Sequence, residues 1–504
     1  MADWEAVQAS LVAHNQDHLL KFLPELDEGR KAELYADIRG VDFARLGRYF
    51  AKARQSLSNC QEKKDELLKP LDSSIYGSTA RDTAHSTRWA DTGLRVISEN
   101  KVAVLLLAGG QGTRLGVNYP KGMYDVDLPS GKTLYQLQAE RIVKLQSLAA
   151  SQSDDKDVTI PWYIMTSEHT KEPTEKFFEE HNHFGLTPEN VVIFEQNTLP
   201  TLDFEGRVFL AEKHRMSRAP DGNGGLYAAL VQPEHDILKD MQDRGVLYVH
   251  VYCVDNILVK MADPVFVGFC VEKGAECGAK VVKKASPTER VGVVCECDGK
   301  YQVVEYSEIS QKTAEKRNND GNLTFSAGNI CNHFFTTQFL GRVCRDHVDD
   351  LVHHVARKKI PHVNDEGQRV EPEKQNGVKM EKFVFDVFQF AKRFAVLEVL
   401  REEEFSPLKN ALGGDKDTPA TARAALLDLH YRQVLAAGAV FVDEDGRRLP
   451  LIPHRNSTID RQELGKRGSH GNGGVVCEVS PLLSYNGEVT TMWRHNNYSA
   501  PNKG

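Results

Sequence analysis

The sequence predicts an α/β fold: a mixed, mostly parallel sheet core, preceded by a helical N-terminal region and followed by a small α+β C-terminal domain. Three observations carry this expectation. From Lys101 the apolar pattern switches from helical spacing to the continuous run "VAVLLLAG", which is how a strand buried on both faces reads. Strand-like runs then alternate with helical stretches, the pattern of strands joined by crossover helices. After about Ser406 the chain becomes rich in Gly and Asp ("NALGGDKDTPATA"). The boundaries fall at 1–95, 96–405 and 406–504, and a length of 504 residues suggests roughly three units of about 150 residues each.

In residues 1–95, "HNQDHLLKFLPEL" and "DFARLGRYFAKARQSL" place Leu, Phe and Tyr three and four apart, an amphipathic packing region without visible chemistry. The first core strand leads to a helix in "KTLYQLQAERIVKLQSLA". There follow "IPWYIMTS", a helix in "KEPTEKFFEEH", "NVVIFEQ", a polar connection, a helix from "GGLYAALV", and "VLYVHVYCVDN". Next come "AKVVKK" and "VGVVCECDGKYQVVEYSEIS", in which Asp298-Gly299 forms a hairpin turn, an antiparallel extension beside the main sheet. A strand "NICNHFFTT" and a helix "KMEKFVFDVFQFAKRF" complete the core. The C-terminal domain offers one helix, short strands such as "AVFVDEDGRRLP", and the polar loop "HRNSTIDRQELGKRGSHGNGG".

Composition excludes several classes. A net charge of -8 with no basic tract argues against nucleic acid as the main partner. The N-terminus lacks the basic-then-apolar pattern of a secretory signal, and no run approaches the roughly eighteen apolar residues of a membrane span, so a cytoplasmic protein with no membrane partner is expected. Nine cysteines, an odd number without metal-like paired spacing, read as free thiols in a reducing compartment; Cys295 and Cys297 share one face of a strand. The sequons at Asn322, Asn456 and Asn497 mean nothing without secretion.

"LLLAGGQGTRLG", residues 105–116, looks like a phosphate-cradling loop but matches neither well-known glycine signature. The dinucleotide fingerprint needs glycine where Leu115 stands, and within this run no Gly-Lys-Ser/Thr of a Walker A loop appears. A strand ending in Ala108-Gly109-Gly110 turns into a loop with unpartnered backbone N–H groups, which glycines let a ligand approach. Arg114 and Lys121 add fixed positive charge, so the site suits a nucleoside triphosphate whose phosphates react. Other polar residues carry a bland reading beside this one. Asp255 reads as a helix cap or turn, Gly222 and Asn223 as an ordinary turn, and Gln196 as the end of a strand. Strand alternation puts one of Glu305 and Tyr306 inward and one outward. Phe383 and Phe385 suit a core, Lys379 and Lys409 a solvated surface, and His353 and His354 are structural or exposed.

The run G-G-x-G-T-R-L-G followed by "YPKGMYDV" is similar to the signature of nucleotide-sugar pyrophosphorylases. The chain resembles most the eukaryotic UDP-N-acetylhexosamine pyrophosphorylase family, including its pyrophosphorylase-like paralogue. "APDGNGGLY", "HVYCVDNILVK", "QVVEYSEIS", "AGNICNHFF", "NGVKMEKFVFD" and "EEEFSPLKNA" follow in the family's order, from about residue 15 to about 485. The resemblance implies a Rossmann-like, glycosyltransferase-A-like nucleotidyltransferase core. It implies transfer of a uridylyl group from UTP to N-acetylhexosamine 1-phosphate, the sugar phosphate attacking the α-phosphorus in line, with Mg²⁺ or Mn²⁺ as cofactor. Arg114 and Lys121 match the catalytic basic residues. Leu107, Ala108, Gly109, Gly110, Lys121, Gln196, Gly222, Asp255 and Lys379 match UTP-binding positions, Asp255 also being the metal-associated carboxylate. Asn223, Glu305, Tyr306, Asn329, Phe383, Phe385 and Lys409 match sugar-phosphate positions. A homodimer is compatible with the resemblance. Two neighbouring readings stay open: a pyrophosphorylase using glucose 1-phosphate, and a weakly active or non-catalytic homologue that binds nucleotide sugar and acts through partners. The chain departs from the pattern in the polar insertion at 454–474 and in its tail "VTTMWRHNNYSAPNKG".

Overall fold

The computed structural model describes residues 3–58, 65–153, 157–442, 445–448 and 476–488. The polar insertion, the divergent tail, Cys60 and the sequons at Asn456 and Asn497 lie outside the described residues. By contacts the chain falls into two compact units, each assembled from three separated stretches: a smaller one of 1–67, 195–237 and 341–390, and a larger one of 68–194, 238–340 and 391–504. The boundaries expected at 95 and 405 divide the chain linearly, whereas these units interleave along it.

The larger unit is built on an eleven-stranded mixed sheet. Its strands are β1 (Leu68–Lys69), β2 (Tyr76–Ser78), β3 (Val102–Leu107), β4 (Trp162–Thr166), β5 (Val191–Glu195), β6 (Tyr248–Cys253), β7 (Cys277–Lys283), β8 (Val293–Cys297), β9 (Lys300–Val304), β10 (Ala327–Thr336) and β11 (Phe394–Val399). The path runs β2-β11-β7-β10-β6-β3-β4-β5, with β8 joining β1, β9 and β10 at the side. β3 is parallel to β4 and β6, and β11 is parallel to β2 and β7. Between these two groups β10 runs antiparallel to both β6 and β7. Every residue of β3 is buried, as the unbroken apolar run requires, and the sheet packs with Trp162, Phe178, Phe266, Phe269 and Phe334 in one core. Asp298 and Gly299, at φ +51° and +71°, turn the β8–β9 hairpin as the dipeptide predicts.

Register decides where the chemistry sits. Leu107 pairs with Cys253, so the glycine loop and Asp255 leave adjacent parallel strands at the same edge of the sheet. The antiparallel β10 enters at that edge with Asn329, and the segment after β11 departs from it. Outside the carboxyl ends of parallel strands is where open α/β sheets place ligands.

A buried ion cluster holds the segment after β11 in place. Lys280 is fully buried, its Nζ 2.6 Å from Asp263 Oδ2 and 2.5 Å from Glu404 Oε2. Asn256 donates from Nδ2 to the Glu404 carbonyl and accepts the Ser406 N–H. The C-terminal helix Pro419–Ala436, opened by a Thr418 capping box, lays Leu426 and Leu429 against Leu115, Leu134 and Leu137.

In the smaller unit the helices Trp4–Ala13, Glu28–Arg39 and Phe43–Ser58 share a core with Leu202, Val208, Met216, Val378 and Met380. A three-stranded antiparallel sheet of His354–Lys358, Gly377–Glu381 and Leu202–Asp203 supports it. The polar connection after residue 196 contains short strand pairs that the sequence pattern did not reveal. The helix expected across 379–394 is absent: the stretch is a strand to Glu381, then a 3-10 turn at Val384–Phe390, then β11 from Phe394. Aromatic and β-branched side chains make up seven of its sixteen residues, and the Lys382 and Phe383 N–H groups donate to the Asp221 carbonyl and the Asp386 carboxylate instead of continuing a helix. Among the described residues no helix is long and apolar enough to cross a membrane.

Candidate active site

In the larger unit the glycine loop opens directly from β3. The N–H groups of Gly109 and Gly110 donate to none of the described residues, while Ser167 Oγ fixes the Gly109 carbonyl at 3.0 Å. A 3-10 turn at Gly112–Leu115 carries the loop back so that Gly112 N–H reaches the Tyr119 carbonyl. A Cβ at Gly112 would stand 2.3 Å from Val117, so only glycine fits this fold-back. Arg114 is exposed and makes no ion pair with a described residue. Lys121 Nζ donates to the Leu408 carbonyl at 3.1 Å, and Leu408 N–H donates to the Asp255 carbonyl at 2.8 Å. Lys121, Asp255 and the exposed Lys409 are thus drawn together by two strand ends and the segment that the ion cluster anchors.

Beside them, Asn329 Oδ1 accepts the Cys331 N–H at 3.1 Å and lies 3.2 Å from His333 Nε2. Burial, with a smaller contribution from His250, pushes His333 down to about 3, so it is neutral at physiological pH. Cys253 at the end of β6 donates to Cys331 Sγ. Its thiol is pushed well above the ordinary range by that bond, then by burial and the Asp255 carboxylate, against Lys409. Glu305 and Tyr306 correct an expectation: β9 ends at Val304, and a turn closed by Glu308 N–H to the Glu305 carbonyl takes both residues out of the strand. Strand alternation therefore does not govern them; Glu305 is half-buried and Tyr306 is 47% exposed.

The smaller unit gathers the remaining predicted residues. Gln196 is buried just past β5, and its Nε2 donates to Asp221 Oδ1 and to the Gly222 carbonyl, both at 3.2 Å. With both amide hydrogens engaged, Gln196 offers an incoming ligand its Oε1 acceptor. Gly222 holds φ +87°, and a Cβ there would lie 2.4 Å from the Lys382 carbonyl oxygen. Asn223 Oδ1 accepts the Val384 N–H at 2.9 Å, which leaves its Nδ2 to donate. Phe383 stacks at 4.1 Å on His354, itself paired with Asp386, and sits 5.1 Å from Phe385. Lys379 is half-buried on its strand without an ion pair to a described residue.

Several residues of these clusters escaped the sequence. Burial pushes Asp221 up to about 7 against the opposing charge of Lys382 and the Gln196 bond. Lys382 is buried and its value lowered, first by that burial. His354, expected to be structural or exposed, backs Phe383, while His353 is buried against Tyr49 as a structural residue. A titratable residue between Pro220 and the turn glycine Gly222 was the available signal for Asp221; the others needed tertiary packing.

For a divalent cation the donor set is sparse. Among the described residues no group of three or more His, Cys, Asp or Glu converges. A single half-buried carboxylate at a strand's carboxyl end, Asp255, fits Mg²⁺ in the form it takes with nucleotides, held by one or two carboxylates and completed by phosphates and water.

A glycine loop at the carboxyl edge of a mixed sheet, ringed by unpaired cations, defines an α/β protein of the nucleotidyltransferase type. The chain belongs to the UTP–glucose-1-phosphate uridylyltransferase family, which it matches over residues 42–443. It is 54% identical over 492 residues to the human UDP-N-acetylhexosamine pyrophosphorylase-like protein 1, covering 97% of this chain and 94% of that one. To the Saccharomyces cerevisiae UDP-N-acetylglucosamine pyrophosphorylase it is 39% identical over 497 residues, 98% and 94% of the two chains. The crystal structure of the Trypanosoma brucei uridine diphosphate N-acetylglucosamine pyrophosphorylase in complex with inhibitor superposes with a TM-score of 0.79 at 31% identity, covering 99% of this chain and 97% of that one.

Proposed function

We propose that this protein is a cytoplasmic uridylyltransferase that joins UTP and an N-acetylhexosamine 1-phosphate into UDP-N-acetylhexosamine, releasing pyrophosphate. A phosphate oxygen of the sugar 1-phosphate attacks the α-phosphorus of UTP, and the bond from that phosphorus to the bridging oxygen of the leaving pyrophosphate breaks. The protein's task is to position two polyanions and neutralise the charge that builds on the leaving group. The observation that carries this reading is the cluster at the sheet edge: free Gly109 and Gly110 N–H groups with Arg114, Lys121, Lys409 and Asp255.

In this reading the loop amides, Arg114 and Lys121 take the triphosphate, and Lys379 and Lys409 hold substrate phosphates as point charges. Gln196 Oε1 accepts the imide N–H of uracil, and the resemblance also assigns Gly222 and the backbone of Leu107 and Ala108 to UTP. The resemblance assigns Asn223, Asn329, Glu305, Tyr306, Phe383 and Phe385 to the sugar. Asp255 is the residue that would hold Mg²⁺ or Mn²⁺, whose charge would offset that of the phosphates. The preference for an acetamido sugar rests on the two asparagine amides, and the names of the relatives support an N-acetylated substrate.

The test is pyrophosphate release by the purified protein with Mg²⁺ and UTP. N-acetylglucosamine, N-acetylgalactosamine and glucose 1-phosphates are compared, with Arg114→Ala as control. Release with an N-acetylated sugar that collapses in the control is expected. Release with glucose 1-phosphate alone would shift the substrate, and no release from a folded protein that binds UTP would favour a binding role.

A further inference from the structure

Cys253 and Cys331 face each other across the β6–β10 ladder. The last paired residues are Tyr252 and Asn332, and the next step of the same register sets Cys253 opposite Cys331. Their sulfurs lie 3.0 Å apart, with the Cys253 thiol donating to the Cys331 sulfur. Both side chains are half-buried, whereas Cys270, Cys277, Cys295, Cys297 and Cys344 are buried. Cys331 holds φ +52°, where β10 bulges: the pairing of β7 with β10 shifts register between Ala279 and Val281. Directly opposed residues on antiparallel strands have Cα atoms about 4.5–5.5 Å apart, inside the roughly 4.4–6.8 Å that a disulfide spans. The sulfurs need close by only about 1 Å to bond.

We propose that Cys253 and Cys331 are a modification site: a pair of thiols that hydrogen peroxide converts into a reversible disulfide at the edge of the sheet between Asp255 and Asn329. The Cys331 sulfur attacks the peroxide, whose O–O bond breaks, leaving a sulfenic acid and one water. The Cys253 sulfur then displaces the hydroxyl as a second water, so two thiols lose two electrons and two protons to one peroxide. A dithiol reductant reverses the bond by exchange.

The consequence follows from what the two residues hold. Cys331 N–H binds Asn329 Oδ1, and Cys253 lies two residues before Asp255. Drawing the sulfurs together moves both anchors, so oxidation lowers turnover. Formation of the bond is independent of the proposed reaction; its effect on turnover rests on that reading.

The test treats the full-length reduced protein with hydrogen peroxide and maps peptides without reduction. A cross-linked peptide joining Cys253 and Cys331, two hydrogens lighter than its parts, is expected. A several-fold fall in turnover should accompany it, reversed by dithiothreitol. Cys253→Ser and Cys331→Ser, checked for folding by their melting temperatures, should keep their own turnover through the same treatment. The site is overturned if both thiols still alkylate after peroxide, or if Cys253 is found joined to another cysteine. A cross-link with unaltered turnover overturns the coupling to the site. A protein inactive even when reduced defeats the proposed reaction, while the peptide map still decides the disulfide.

Discussion

Asp221 is a residue whose environment opposes what its chemistry prefers. It is a carboxyl group buried against Gln196, with its own value near 7 instead of the ordinary 3.8. Between these two values the folded chain holds a proton that the unfolded chain has already lost, so stability falls as pH rises through that window. Melting temperatures at about pH 5 and about pH 7.5 should therefore differ more in the wild type than in Asp221→Asn, which cannot ionise. An equal difference in both would contradict the burial argument. Arg114 stands at the other extreme, exposed and bonded to no described residue. Arg114→Ala should lower turnover by about 10²–10³-fold, the scale of a lost charge-stabilising group, while leaving the melting temperature within about 1 °C. Arg114 and Lys121 stand out in the sequence as positive charge beside a glycine loop, whereas Asp255 reads there as a cap or turn and its metal role comes from the resemblance alone. Asp221, Lys382 and the facing cysteines were not legible there, since each takes its meaning from a neighbour distant in the chain.

At the scale of elements, the segment 401–409 shows how a core charge shapes a surface site. Glu404 is buried between Lys280 and Lys260, and its carbonyl accepts from Asn256 beside Asp255. Glu404→Ala should cost about 3–5 kcal/mol, because it leaves the Lys280 ammonium in the core with one partner fewer. Denaturant titration measures this, and a loss under about 1 kcal/mol would show that Asp263 alone suffices. The C-terminal helix acts on the glycine loop through packing: Leu426→Ala should cost about 2–5 kcal/mol by opening a cavity beside Leu115. Buried strands β3 and β6 and the Asp-Gly hairpin were readable from pattern, since unbroken apolar runs and turn dipeptides are local signals. The stretch 379–394 was misread as a helix because its apolar spacing satisfies a helical template. Bonds from Lys382 to Asp221 and from Phe383 to Asp386 settle its conformation.

For the whole molecule, two compact units share one chain by exchanging segments, and the predicted ligand residues are distributed over both. The larger carries the glycine loop, Asp255, Asn329 and Lys409; the smaller carries Gln196, Asn223, Lys379 and Phe383. A linear scan detects changes of composition and so divides the chain at 95 and 405, but it has no access to a chain that leaves a core and returns to it. Direct transfer between two bound substrates is the central claim. The measurement that tests it most directly is exchange of labelled pyrophosphate into UTP, run with and without N-acetylhexosamine 1-phosphate. Exchange that requires the sugar phosphate is predicted, because no uridylyl group is transferred until the acceptor attacks. Exchange in its absence would reveal a covalent uridylyl-enzyme, and exchange in neither case would contradict the transferase account.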